Sequence, residues 1–152
     1  MWLKGKIYFL NREIRRVSAS LGFRNIPVAK FVGNSSMGRD GNRIPYTSEL
    51  VSNLGVNYQK NGLNTLVSLN YLSPQFADSA NTALPNSIGT LGEISAITTV
   101  NWSANYAINK SLKVFGVVNN LLNRRYISSR SPDGIFAGAP INFQAGMSYQ
   151  FF

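Results

Sequence analysis

The sequence predicts an all-β fold, an antiparallel transmembrane β-barrel segment of about five to six strands that is incomplete as a barrel. Three observations predict it. Apolar and polar residues alternate with period two between turn signals. Short turns and long loops alternate along the chain. The wet faces carry Asn, Ser, Gln and Gly instead of Lys and Glu. A soluble sheet usually puts charge on its wet face, whereas a water-filled lumen tolerates uncharged polar side chains while lipid takes the apolar face.

The first 45 residues carry the weakest pattern. Ile7–Leu10 and Val17–Phe23 are candidate strands, Glu13–Arg16 a candidate helical turn, and Gly33–Arg43 a Gly/Ser/Asn-rich loop. From Glu49 to Lys60 the alternation is clear. Leu50, Leu54, Val56 and Tyr58 share one face, and Val51, Asn53, Gly55, Asn57 and Gln59 the other. Asn61-Gly62 follows, the strongest short hairpin signal. In the next strand Leu63, Thr65, Val67, Leu69 and Tyr71 oppose Asn64, Leu66, Ser68 and Asn70. Pro74–Glu93 has no periodicity and reads as a long loop.

Residues 96–108 place Thr98, Val100, Trp102, Ala104, Tyr106 and Ile108 against Asn101, Ser103 and Asn105. A short turn, Asn109–Ser111, leads into Leu112–Asn119, which is apolar on both faces and so ambiguous in phase. Leu121–Asn142 is a second long loop. In the last strand, 141–152, Phe143, Ala145, Met147, Tyr149 and Phe151 point out, and Asn142, Gln144, Gly146, Ser148 and Gln150 point in.

Strands of about 9–11 residues suit a tilted membrane span. Leu54, Val56, Leu69, Val100, Trp102, Met147 and Tyr149 are expected to face lipid, and Asn57, Asn70, Asn101, Asn105 and Gln144 the lumen. Tyr58, Tyr71, Trp102, Tyr106 and Tyr149 read as strand-end aromatics of interfacial girdles. A soluble β-sandwich shares the alternation but predicts neither the turn rhythm nor the uncharged inner faces.

Composition narrows the function. Apolar residues make up 44% of the 152 and charged residues 14%, against about 25% charged in a typical soluble domain. Cys and His are both absent, which removes disulfides, thiolate chemistry, most zinc sites and the commonest general base. The six acidic residues are scattered, so nothing points to an enzyme, a protein-held metal or a cofactor. No run of roughly 18 apolar residues supplies a transmembrane helix, and Ile7–Leu10 is too short for a signal-peptide core. A secreted protein needs such a signal, so the reading expects a fragment or an incomplete gene product. The net charge of +9 favours anionic partners. Nucleic acid is a poor candidate, because the aromatics share faces with Leu and Val and do not interleave with Lys and Arg.

Several motifs resemble the C-terminal part of TonB-dependent siderophore receptors, above all the iron(III) dicitrate branch. Gly41-Asn42-Arg43-Ile44-Pro45-Tyr46 is similar to the family's G-N-R-x-P, and Gln75-Phe76-Ala77-Asp78-Ser79-Ala80-Asn81-Thr82 to its Q-F-x-D-x-A-N-T loop. Val117 to Tyr126, VVNNLLNRRY, resembles V-x-N-L-F-D-x-x-Y. Gly134-Ile135 and Gly138-Ala139-Pro140 resemble the Gly-rich final loop, and Tyr149-Gln150-Phe151-Phe152 the aromatic end of outer-membrane proteins. The chain departs from the pattern at Ile141, where the family usually has Arg, at Leu122 and Asn123, which replace Phe and Asp, and at Phe152, which is one residue extra.

The resemblance implies one partial barrel domain over 1–152, with a poorly defined start at 1–17, no plug domain and no TonB-contacting N-terminal segment, where the whole receptor has about 22 strands around a plugged lumen. It implies a bacterial outer-membrane receptor for a ferric siderophore or ferric citrate, with iron held inside its chelator and no protein metal ligand. Expected partners are outer-membrane lipid and lipopolysaccharide, the ferric chelate, the barrel-assembly machinery, and TonB only through the missing part. Arg43, Arg124, Arg125 and Arg130 are the candidate chelate-binding residues, because guanidinium pairs well with carboxylate. Solvation or lipopolysaccharide phosphate are the competing roles for each. Tyr149, Phe151 and Phe152 form the candidate barrel-assembly signal. A non-transporting remnant of a truncated or split receptor gene is the second reading, and the DNA just upstream discriminates between the two.

Overall fold

A computed structural model describes residues 5–11, 15–25, 29–33 and 35–151. Seven strands form one antiparallel sheet: β1 (Gly5–Asn11), β2 (Arg15–Asn25), β3 (Leu50–Lys60), β4 (Leu63–Leu72), β7 (Ile97–Ala107), β8 (Leu112–Asn119) and β11 (Asn142–Tyr149). Four short strands pair off in two ribbons within the loops, β5 (Gln75–Phe76) with β6 (Glu93–Ile94), and β9 (Ile127–Ser129) with β10 (Phe136–Ala137). A 3-10 turn at Ser35–Met37 is the one helical element among the described residues.

The large sheet is a plain meander in the order β1-β2-β3-β4-β7-β8-β11. All short connections therefore lie at one end and all long ones at the other. The Asn61-Gly62 hairpin takes φ of 46° and 84° at its two residues, the pair of positive values that a type I′ turn demands. At the next short turn the Asn109 side-chain oxygen accepts from Ser111 N at 2.9 Å and Leu112 N at 2.8 Å.

The expected strand bounds hold within two residues for β3, β4, β7 and β8, and β11 ends at Tyr149. The candidate strands at Ile7–Leu10 and Val17–Phe23 are β1 and β2, which pair with each other, and β2 pairs along its whole length with β3, so the sheet counts seven strands among the described residues. Two expectations are corrected. Arg15 and Arg16 are strand residues opposite Lys60 and Gln59; that ladder overrides the local helical pattern, and Glu13 lies outside the described residues. Trp102 sits mid-strand in β7, not in an end girdle, and its indole N–H donates to Thr65 Oγ1 at 2.9 Å, which satisfies a donor that lipid could not.

Register resolves the faces, since directly opposed residues share one. One face carries the rows Leu21–Leu54–Leu69–Val100 and Ala19–Val56–Val67–Trp102–Val118–Phe143. The other carries Ser20–Gly55–Ser68–Asn101 and Ser18–Asn57–Leu66–Ser103–Val117–Gln144. β8 thus points Val114, Gly116 and Val118 to the apolar face, and Lys113, Phe115, Val117 and Asn119 to the polar one. Phe115 lies over Gly146 of β11, where an added Cβ would come within 2.6 Å of its ring.

Among the described residues no second layer covers either face. Among the described residues the only buried apolar side chains are Ala77 and Ile94, both at the long-loop end, while Leu54, Val67, Trp102, Phe143 and Met147 are exposed. A continuous apolar surface of this size on one side of a sheet requires lipid or protein against it, and a β-sandwich would have supplied it internally.

Candidate functional site

The long loops after β2, β4 and β8 fold against one another into a cross-braced layer. Two of the motifs singled out from the sequence form one hydrogen-bonded unit. Arg43 N donates to Asn81 Oδ1 at 2.6 Å, Asn81 Nδ2 returns a bond to Arg43 O at 2.9 Å, and Asn42 Nδ2 donates to Ser79 O at 3.0 Å. Asp78 holds its own loop through one oxygen, which accepts from Ala80 N, Thr82 N and the Thr82 hydroxyl at 2.9, 3.3 and 3.1 Å. Such side-chain-to-backbone bonds let a chain without regular structure satisfy its polar groups.

Asn120 is the equivalent knot in the third loop. It is almost fully buried, at 3% exposure, and adopts a φ of 50°. Its side chain accepts from Arg124 N and donates to Arg124 O and Ala139 O, all at 2.9 Å, and its backbone N–H donates to Asn101 Oδ1 at 2.9 Å. Sequence reasoning missed Asn81, Asp78 and Asn120 as residues that hold the loops. Each lies within a quoted motif, which is the signal that could have found them.

The four arginines lie on loops at the same end, but their side chains do different things. The Arg43 guanidinium donates to Pro74 O at 3.0 Å and Thr47 O at 3.3 Å, pairs with Glu49 at 3.2 Å, and stacks 5.3 Å from the Phe76 ring centre. Arg130 is 6% exposed. It donates to Gly89 O at 3.1 Å and Glu93 O at 3.5 Å, and its backbone N–H reaches the Tyr46 hydroxyl at 3.3 Å. Arg130 therefore ties all three loops together, with carbonyl dipoles facing a weakly hydrated cation. Arg124 and Arg125 are exposed and line a small pocket with Ala96, Thr98 and Tyr126.

On the polar face of the sheet, a shallow groove of about 310 Å³ is lined by Ser18, Ser20, Asn57, Asn64, Ser103 and Asn105 among others. These groups bond water or a passing polar solute without fixing a charge. At the other end, Tyr149 and Phe151 pack edge to face, with centroids 4.8 Å apart; Phe152 lies outside the described residues.

An antiparallel sheet with one apolar face and one polar face of mostly uncharged side chains, its long loops gathered at one end, defines a barrel wall. The family model described as TonB dependent receptor-like, beta-barrel, matches residues 10–121, and the chain belongs to that family. No curated protein sequence matches it. Among solved structures it resembles the ferric citrate transporter FecA in its unliganded form, at 23% identity and TM-score 0.71, over 88% of this chain and 21% of that one. It also resembles the ferric enterobactin receptor PfeA of Pseudomonas aeruginosa, at 16% identity and TM-score 0.66, over 99% of this chain and 22% of that one. The ferric preacinetobactin receptor BauA of Acinetobacter baumannii matches at 19% identity and TM-score 0.66, over 97% and 21%. The chain spans about a fifth of the length of these structures.

Proposed function

We propose that this chain forms the C-terminal wall and three extracellular loops of a bacterial outer-membrane receptor that takes up ferric citrate or a ferric siderophore. The observation that carries the reading is the split of one seven-stranded sheet into an apolar face and a polar face of mostly uncharged side chains, with Arg16, Arg24 and Lys113 as cations on it, on a fold shared with receptors for ferric chelates. Lipid meets the first face, and the solute path runs along the second. Among the described residues the outer edges of β1 and β11 have no strand partner. Unpaired backbone costs several kcal/mol per group in lipid, so uptake is assigned to the closed barrel that this sheet completes.

Iron stays inside its chelator, and the protein holds no metal of its own. The net charge of +9 raises the local concentration of an anionic chelate. In this reading Arg43 and Arg130 serve the chelate indirectly, by holding the loops through which it enters. TonB acts through the part of the receptor outside this chain, and the barrel-assembly machinery pairs with β11. The test is radioiron uptake by iron-starved cells that carry the full-length receptor, compared with its deletion strain across a panel of ferric citrate and ferric siderophores. Uptake of at least one chelate above the deletion strain is expected. Equal uptake of every chelate would sink the transport reading.

A further inference from the structure

The long loops invert the usual distribution of burial. Connecting segments are ordinarily the most mobile and least buried part of a protein. Here, apart from Gly55, every buried residue among the described ones lies in the long loops, with Ile94 at 0% and Arg130 at 6% exposure among them.

The three loops are also bonded pairwise. Besides the Asn42, Arg43 and Asn81 bonds, the loops after β2 and β4 share a bond from Tyr46 N to Phe76 O at 2.9 Å and one from the Ser48 hydroxyl to Ser73 O at 3.0 Å. The loops after β4 and β8 share the Arg130 bonds to Gly89 O and Glu93 O. They also interlock: a Cβ at Gly89 would come within 2.9 Å of Ile135 Cγ1, and one at Gly134 within 3.0 Å of Ile88 O. The loops after β2 and β8 share the bond from Arg130 N to the Tyr46 hydroxyl. Tyr46 itself is held at a φ of 55°. A bulky side chain seldom adopts that left-handed backbone, which persists only where the surroundings over-determine it. The layer is anchored to the wall beneath it, since Leu121 N donates to Val100 O at 2.7 Å and Asn120 N to Asn101 Oδ1 at 2.9 Å.

Swinging the loop after β4 aside would strand the buried Arg130 guanidinium without its carbonyls and break the Arg43–Asn81 pair at once. Motions that keep these bonds carry all three loops together. We infer that the loops after β2, β4 and β8 form one rigid block, latched by Arg130, that keeps its shape and its place on the wall when a ferric chelate is captured. The inference rests on the receptor reading above and adds to it a fixed side of the entrance. Any closure over a bound chelate then falls to parts of the receptor outside this chain.

The experiment places spin labels in pairs on the full-length receptor in nanodiscs. Met37→Cys, Leu84→Cys and Asp133→Cys give one exposed position per loop, and Lys110→Cys in a short turn gives a reference on the wall. This chain has no cysteine of its own, and thiols elsewhere in the receptor are replaced by serine. Pulsed dipolar distances are recorded without ligand and with gallium citrate or gallium enterobactin, diamagnetic counterparts of the ferric chelates. Each pair among the three loop positions is expected to give a single narrow distance without ligand. Every distance, those to the Lys110 position included, is expected to shift by less than about 2 Å with either chelate, as in preorganised complexes. Arg130→Met is expected to broaden the pairs that include the Asp133 position and to leave the Met37–Leu84 pair narrow, whereas Asn81→Ala broadens that pair. A broad or split distance between loops in the ligand-free receptor overturns the inference, as does a larger shift with a chelate or an unbroadened Asp133 pair in Arg130→Met. Radioiron uptake by the same receptors separates the two readings. Loop movement in a receptor that transports refutes the rigid block alone, whereas narrow, unshifted distances in a receptor that takes up no chelate refute transport and leave the block standing.

Discussion

An arginine in place of Val67 should be among the most damaging single changes on the outer face, and one at Ser68 should be nearly silent. The two positions are consecutive in β4 but point to opposite faces. Val67 lies between Val56 and Trp102, and Ser68 between Gly55 and Asn101. Counting along β4, Tyr71 is four residues from Val67 toward the loops, and Leu63, opposite Tyr106, is four residues from it toward the short turns. Four residues at about 3.4 Å each span about 14 Å of strand, or about 10 Å along the membrane normal at a tilt near 40°. The Val67 row therefore sits at the centre of an apolar band of about 25 Å, with tyrosine rows near both borders. Arg at the midplane of a lipid face costs about 2–4 kcal/mol, which shifts a folding equilibrium about 30- to 700-fold at about 1.4 kcal/mol per tenfold. Tyr71→Arg, near the border, should cost about 0–1 kcal/mol. Ser68→Arg enters a wet lumen beside a glycine and should cost about as little. The assay is urea unfolding of the full-length receptor in bilayers, read by heat-modifiable mobility. Equal costs at 67 and 68, or a Tyr71→Arg penalty as large as that of Val67→Arg, would refute the assignment of faces and depth.

Arg130→Met should leave the strands intact but strand the carbonyls of Gly89 and Glu93, loosening the loop layer by about 1–3 kcal/mol; limited proteolysis at the loop tips should speed up with no change in the heat-modifiable fraction. At the other end of the sheet, β11 offers an apolar alternating face and, among the described residues, a free backbone edge, a template for strand addition. Deleting Phe151 and Phe152 together should lower the assembled fraction of the full-length receptor in outer membranes. Assembly as good as the parent's would leave those aromatics as interfacial girdle only.

The long strands were legible in the sequence because their information is local. Period two and an Asn-Gly turn with both residues at positive φ are readable within about a dozen consecutive residues, as are the uncharged polar faces of these four strands, and they fixed the faces of β3, β4, β7 and β11 without any partner. β1 and β2 were weaker because their strand character rests on pairing with each other and with β3. Leu112–Asn119 carried no phase of its own; only its register with Trp102 and Phe143 turned Val118 outward and Val117 inward. The loops were least legible. β5, β6, β9 and β10 have two or three residues each, too few to show a period. The fate of an arginine is likewise not written in its neighbours. Arg130 meets Tyr46 across 84 positions and Gly89 across 41, while Arg124 and Arg125, a few residues away in the same loop, stay exposed. Local alternation determines which way a strand faces, because backbone geometry enforces it residue by residue. Whether a loop cation braces the protein or meets its surroundings depends on carbonyls brought from distant segments, and only the tertiary structure brings them.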